Sequence, residues 1–241
     1  MGPVAARFRT ERREVWLTID DGPDPEDTPR MLAILAQHGA RATFFLIGDR
    51  ARRHPELVRT ILREGHIVGN HTFSHPVAMF WMAHPARVAR EIDTCAASLR
   101  AASGKAASAH ALFRAPVGMA NPFVFAALQR RGMALVGWSA RGFDAVEADS
   151  EMVVSRIWQT VRPGAIILLH EGHRWPGKEA VNPRTLALLL DRLAGAGYAC
   201  VVPRWDQFAA YRQDGPDGFS NLSDVALPAT MPADTARSGR C

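Results

Sequence analysis

Val15-Trp16-Leu17-Thr18-Ile19-Asp20-Asp21-Gly22-Pro23 is the stretch of this 241-residue chain that decides its architecture. Its first five residues are β-branched, aromatic or aliphatic without alternation, the pattern of a strand buried on both faces. Two adjacent carboxylates followed by Gly-Pro then end the strand abruptly. Successive side chains of an extended segment point apart, so one of Asp20 and Asp21 can hold a cation while its neighbour stays free as a base.

Working outward, similar runs recur at 42–47, 66–69, 111–114, 134–138, 165–169 and 198–202, which predicts seven strands. Amphipathic segments separate them. Thr28-Pro29, His54-Pro55, His84-Pro85, Asn121-Pro122 and Asn182-Pro183 mark helix starts, because proline in the first turn loses no needed N–H. Gly39, Gly65, Gly104, Gly132 and Gly195 mark the stops. Between these signals Leu57, Val58, Ile61 and Leu62, and again Val88, Ile92, Cys95 and Leu99, keep helical spacing and are read as core. Strands alternating with helices imply a parallel sheet with right-handed crossovers, either open and doubly wound or closed. The expected fold is α/β, an incomplete or distorted (β/α) barrel of about seven parallel strands. The expected organisation is an N-terminal arm over 1–13, one barrel domain over 14–211, and a disordered tail over 212–241 rich in Pro, Asp, Ser, Gly and Ala.

A composition of 47% hydrophobic and 22% charged residues suits one core of this size. The net charge of +5 would suit an acidic partner. However, Lys105 and Lys178 are the only lysines, and the arginines are scattered among helices with no aromatic-interleaved stripe, so no nucleic-acid surface is expected. Cys95, Cys200 and Cys241 are too few and too widely spaced for a disulfide framework or a metal knuckle, which fits a reducing compartment. No run approaches the ~18 apolar residues of a membrane span. Residues 1–15 lack the apolar core of an export signal, so a cytoplasmic location is expected. No feature of the sequence indicates an oligomeric state.

In a parallel barrel the site is built from loops leaving the C-terminal ends of the strands. After the third strand come Asn70-His71-Thr72-Phe73-Ser74-His75-Pro76, whose two imidazoles can meet one ion either from a helical face or from a folded loop. Pro76 disfavours helical geometry at His75, which points to the loop. One carboxylate and two imidazoles leave an open coordination position, as in catalytic zinc sites, where bound water becomes a nucleophile near neutral pH. Other strand ends supply Arg114-Ala115-Pro116-Val117-Gly118, Trp138-Ser139-Ala140-Arg141-Gly142-Phe143-Asp144, and His170-Glu171-Gly172. Arg114 either fixes a carboxylate or makes a surface ion pair. His170 ends the most apolar strand, where an uncompensated imidazole would be costly, so a proton-transfer role is favoured over packing. His38, His54, His66, His84 and His110 are read as structural.

Taken in order, these segments resemble the polysaccharide deacetylases, the NodB-homology proteins of carbohydrate esterase family four, over about residues 15–202. The resemblance implies that Asp20 is the catalytic base and that Asp21, His71 and His75 are metal ligands. It implies that Arg114 holds the catalytic Asp, that the Val117 N–H lies in the oxyanion hole, and that His170 is the general acid, paired with Asp144. It further implies hydrolysis of an N-acetyl or O-acetyl group on a carbohydrate. Such a ligand set suits one divalent ion, Zn2+ first, with Co2+, Ni2+ or Mn2+ as alternatives. The chain departs from the family at Val117, where an aromatic is frequent, and at Arg141 and Ala145, where Asp and Trp are common; Arg141 is therefore a candidate contact for an anionic group. Two rival readings remain. One is an intracellular amidase of the same fold acting on a non-carbohydrate or lipid-linked amide, and the other is a non-catalytic sugar- or nucleic-acid-binding module.

Overall fold

A computed structural model of the protein describes residues 3–77, 79–103, 111–176, 181–204 and 207–208. The tail expected over 212–241, the helix stop at Gly104, and His110 lie outside these residues. Strand β1, Glu14–Asp20, is central, as its continuous apolar run requires. It pairs in parallel with β2, Ala42–Leu46, on one side and with β7, Ile166–His170, on the other. Beyond β2 come β3, Ile67–Asn70, then β4, Leu112–Phe113, and β5, Ala134–Leu135. Beyond β7 lies β6, Ala140–Arg141, while β8, Ala199–Cys200, pairs only with the start of β1. The order is β5-β4-β3-β2-β1-β7-β6 and every pairing is parallel, so the α/β distorted-barrel expectation holds.

One strand was not foreseen. The run at 134–138 leaves the sheet after Leu135, and the chain re-enters at the opposite edge as β6. The reason is a competing partner. Ala5 N–H donates to Leu135 O at 2.9 Å, and Gly137 N–H donates back to Ala5 O at 2.9 Å. Two residues on, Arg7 bridges Ala165 in antiparallel fashion, and Phe8 N–H donates to Gly164 O at 3.0 Å. Residues 5–8 thus fill the seam between the two edges of the sheet. Gly164 permits this approach, since its φ is +77° and a Cβ there would lie 2.1 Å from the Phe8 carbonyl oxygen.

Seven helices cover the sheet: α1 Asp27–Gln37, α2 Gly48–Arg53, α3 Pro55–Arg63, α4 Pro85–Ser103, α5 Pro122–Gln129, α6 Ser150–Thr160 and α7 Val181–Gly195. Proline opens α3, α4 and α5 as expected. Helix α1 starts before its proline because Asp24 Oδ1 accepts from the N–H groups of Glu26 and Asp27 and sets the first turn early. The left-handed residue ending α7 is Gly197, not Gly195. Along β1, Val15, Leu17 and Ile19 pack with the helices, whereas Trp16 faces the barrel interior with Phe45, Ile67 and Ile166. Trp16 satisfies its indole N–H on Thr43 Oγ1 at 2.9 Å. Val88, Ile92, Cys95 and Leu99 are fully buried along α4, and Val58 and Ile61 along α3, while Leu57 and Leu62 flank them half-buried. Each such burial contributes about 1.5–3 kcal/mol.

Candidate active site

Asp20 shares the inward parity of Trp16 and Thr18 and closes β1 at its C-terminal end, where His170 of β7 is its neighbour in register. Arg114, at the end of β4, has no solvent exposure, which decides between its two sequence readings: it is not a surface pair. Its Nη1–H donates to Asp20 Oδ1 at 2.7 Å and to Thr18 Oγ1 at 2.7 Å, its Nη2–H to Gly137 O, and its Nε–H to Val136 O. The Phe45 ring lies 4.3 Å from its Cζ. One carboxylate oxygen of Asp20 is thereby fixed and the other, Oδ2, is directed toward His71 Nε2 at 3.7 Å.

Asp21 follows with φ +74°, which swings its carboxylate away from that of Asp20 and toward the loop after β3. Oδ1 lies 3.4 Å from His71 Nε2 and 3.2 Å from His75 Nε2, and the three ligand atoms fall within 4.8 Å of one another. This oxygen is buried and has no hydrogen-bond partner among the described residues, and a cation between three converging donors would satisfy it. His71 Nδ1–H donates to Arg114 O at 2.9 Å, which leaves Nε2 to face the cluster. Burial works against ionising Asp21, yet the hydrogen bond from His173 and the close approach of the His71 and His75 imidazoles hold it well below the ordinary carboxylate range. Burial, followed by repulsion from His71, pushes His75 down to about 4, so it is a neutral imidazole at neutral pH, as ligation requires. The pair comes from a folded loop, not a helical face, with Thr72 at φ +66° and His75 at φ +50°.

Across the barrel mouth, His170 Nδ1 meets Asp144 Oδ1 at 2.9 Å, and the His170 backbone N–H donates to Asp144 Oδ2 at 2.6 Å. Burial alone would lower the pKa of this imidazole, but the Asp144 carboxylate and its hydrogen bond, with Asp20 and Asp21 behind them, push it up to about 9. Val117 sits in a tight turn, Pro116–Gly118, with φ +52°. Gly118 N–H and Met119 N–H bond back to Ala115 O and Pro116 O, whereas the Val117 N–H has no acceptor among the described residues. Asp21, Thr72, His75, Val117 and Phe143 are the non-glycine residues at positive φ among those described, and all five lie in loops of this site. Sequence reasoning therefore brought together Asp20, Asp21, His71, His75, Arg114, Val117, Asp144 and His170, and the structure brings them to one end of the barrel.

It missed others. His173 Nε2 lies 3.1 Å from Asp21 Oδ2, and Arg50 Nη1–H donates to Asp21 O at 2.7 Å. Glu91 anchors the histidine loop, accepting from Phe73 N–H, Ser74 N–H and Ser74 Oγ–H at 2.8–3.0 Å. A signal for Glu91 exists, since an acid three residues after Val88 falls on the apolar face of α4. Glu171, also missed, is fully buried beneath the Asp-Asp-Gly-Pro turn, where a Cβ on Gly22 would collide with its Oε1. Its Oε2 takes a hydrogen bond from the Thr28 hydroxyl, and its Oε1 has no partner among the described residues. Burial, together with the charges of Asp24 and Asp27, pushes this carboxyl up to about 8.

A pH dependence follows. The unfolded chain releases the Glu171 proton near the ordinary glutamate value of 4.5 and the folded protein holds it to about 8, so this group's contribution to stability falls as pH rises across that window. Glu171→Gln removes the penalty. Its melting temperature relative to wild type is expected to climb between those limits by on the order of 5–10 °C and then level off. Thermal melts of metal-free protein across the window check this, and a difference that does not vary with pH refutes it.

A parallel barrel with an Asp-His-His cluster that could hold a metal ion at its strand ends fits the class of metal-dependent barrel hydrolases. Residues 8–136 match the polysaccharide deacetylase family model. The chain belongs to that family. It is 41% identical over 167 residues to a chitooligosaccharide deacetylase of Bradyrhizobium sp. (strain ANU 289), covering 69% of this chain and 74% of the relative. It is 34% identical over 203 residues to a peptidoglycan-N-acetylglucosamine deacetylase of Bacillus cereus, covering 83% and 91%. Among solved structures, the family 4 carbohydrate esterase from Streptomyces lividans in complex with acetate superposes with a TM-score of 0.70 at 29% identity, over 81% of this chain and 95% of that one. Among the described residues, no helix is long and apolar enough to cross a membrane.

Proposed function

We propose that this protein is a metal-dependent deacetylase that hydrolyses the acetamide of N-acetylglucosamine units in a glycan, with Asp20 as general base and His170 as general acid. The observation that carries the reading is the placement of Asp20 and His170, neighbours in register at the ends of β1 and β7, beside the Asp21-His71-His75 cluster. Asp20 Oδ1 accepts from Arg114, which leaves Oδ2 free, and His170 is held as an imidazolium by Asp144. The relatives named above, which act on chitooligosaccharides and peptidoglycan, support this substrate class.

Asp21, His71 and His75 are the residues that would hold the ion, and their donor set suits Zn2+ first, with Co2+, Ni2+ or Mn2+ as alternatives. When bound, the ion supplies Lewis acidity toward the acyl oxygen and lowers the pKa of water. Asp20 takes the proton of the attacking water on Oδ2, because Oδ1 is committed to Arg114. The unengaged Val117 N–H donates to the oxyanion that develops as water adds to the amide carbon. His170 keeps Nδ1 on Asp144 and delivers the Nε2 proton to the leaving nitrogen, so that the C–N bond breaks to give acetate and the free amine.

The test is acetate release from N-acetylglucosamine oligomers with metal analysis of the same sample. About one ion per chain is expected, with activity abolished by a chelator and restored by Zn2+. Turnover that persists without metal would overturn the mechanism. A soluble small amide cleaved far better than any oligomer would favour the amidase of the same fold, and metal-loaded protein that hydrolyses nothing would favour a binding module.

A further inference from the structure

Arg141 stands at the place where the sequence departs from its family, and its surroundings are unlike those of the other arginines at this end of the barrel. Arg114 pairs with Asp20, Arg50 caps the Asp21 carbonyl, and Arg174 bridges Asp24 and Asp27. Arg141 is exposed, and among the described residues no carboxylate lies within ion-pair distance of its guanidinium. What it touches instead is aromatic. Its Cζ lies 4.3 Å from the Phe143 ring and 5.7 Å from the Trp138 ring.

Those two rings locate the cation. Trp138 lies against the oxyanion turn, so closely that a Cβ on Gly118 would sit 2.3 Å from it, and the same ring stacks near Arg114, 5.7 Å from its Cζ. Phe143, half exposed with φ +65°, immediately precedes Asp144, the partner of His170. In the sheet Arg141 is the register neighbour of Leu168, two residues before His170. The guanidinium is therefore fixed on the rim of the cleft between Val117 and His170. Its Cζ lies beside two aromatic rings, and among the described residues no ion-pair partner takes up its N–H groups. Those groups form a planar fork matched to a planar carboxylate, and stacking reduces the entropy lost on forming the pair.

We infer that Arg141 selects glycans bearing a carboxylate on the sugar next to the one deacetylated, over neutral oligomers. The inference rests on the deacetylase reading above and narrows its substrate. The net charge of +5 favours the same substrates at long range.

The test uses metal-loaded full-length protein and two probes that differ only in charge. One is an oligosaccharide alternating N-acetylglucosamine with its 3-O-lactyl derivative, and the other is the same oligosaccharide with the carboxylate reduced to an alcohol. Wild type is expected to prefer the acid form by about tenfold in kcat/KM at low salt, mainly through KM, with the preference shrinking as salt rises. Arg141→Met should bring the ratio close to unity, and Arg141→Lys should retain part of it. Equal hydrolysis of the two probes by wild type, or a preference that survives undiminished in Arg141→Met, overturns the inference and leaves the deacetylase reading standing. Should Arg141→Met fail to fold, the lysine variant and the salt dependence of wild type decide. Hydrolysis of neither probe by metal-loaded wild type that does release acetate from N-acetylglucosamine oligomers overturns the inference alone, and failure on those oligomers as well overturns both readings.

Discussion

Asp20→Asn is expected to lower kcat for deacetylation by about three orders of magnitude while leaving one metal ion bound per chain. The amide oxygen of asparagine can still accept from Arg114, so the side chain keeps its orientation, but no atom remains in place of Oδ2 to take a proton from water. Folding stability should fall as well. The Arg114 guanidinium is wholly buried and would lose its one carboxylate partner among the described residues, a loss on the order of 3–5 kcal/mol for a broken buried pair. His71→Ala and His75→Ala should behave in the opposite way toward metal, releasing it, because each removes one of the groups facing Asp21 Oδ1. Steady-state kinetics beside metal stoichiometry separate the two kinds of variant. An Asp20→Asn protein that retains a tenth of wild-type turnover would exclude Asp20 as the base.

His170→Ala should cost about two to four orders of magnitude on an acetamide and far less on an acetate ester of the same sugar. The difference lies in the leaving group. An amine cannot depart unprotonated, whereas an alkoxide is a better leaving group and depends less on the acid. The imidazolium is the active form, and with its pKa pushed up to about 9 amide hydrolysis should decline as pH rises through that value. Asp144→Asn removes the partner that outweighs burial, and should move this alkaline limb toward neutrality by about one to three units. Matched kcat/KM profiles for the two substrates are the measurement. Equal losses on amide and ester, or an alkaline limb indifferent to Asp144, would contradict the assignment.

The parts of this molecule that were legible in advance share a physical cause. β1, β2, β3 and β7 are buried on both faces, so their apolar runs are unbroken and their ends abrupt, and Asp20, His71 and His170 could be placed by counting from those ends. β4 and β5 are only two residues long but sit within apolar runs that read as strands, whereas β6, also two residues, carries no run of its own and was not legible. Helix α2 reads Gly-Asp-Arg-Ala-Arg-Arg, with no apolar period. It forms because the N–H groups of Gly48 and Asp49 bond to the carbonyls of Thr72 and Phe73 in the histidine loop. His173 and Glu171 escaped notice for a related reason, since their partners Asp21 and Thr28 are about 150 and 140 residues away in the chain and only the closed fold brings them together. The depth of Arg114 was equally hidden, because its burial depends on the Phe45 ring and the carbonyls of Val136 and Gly137.

The seam filled by residues 5–8 bears on the order in which the molecule can be completed. These residues precede β1, whereas their partners Leu135 and Gly164 come after β4 and α6, so they wait unpaired while most of the sheet is made. Sealing the barrel is thus a late step that closes a long loop and joins both sheet edges at once. Until then the flanking strands present open backbone to any other extended chain, and the opening segment serves as the molecule's own guard against such mispairing.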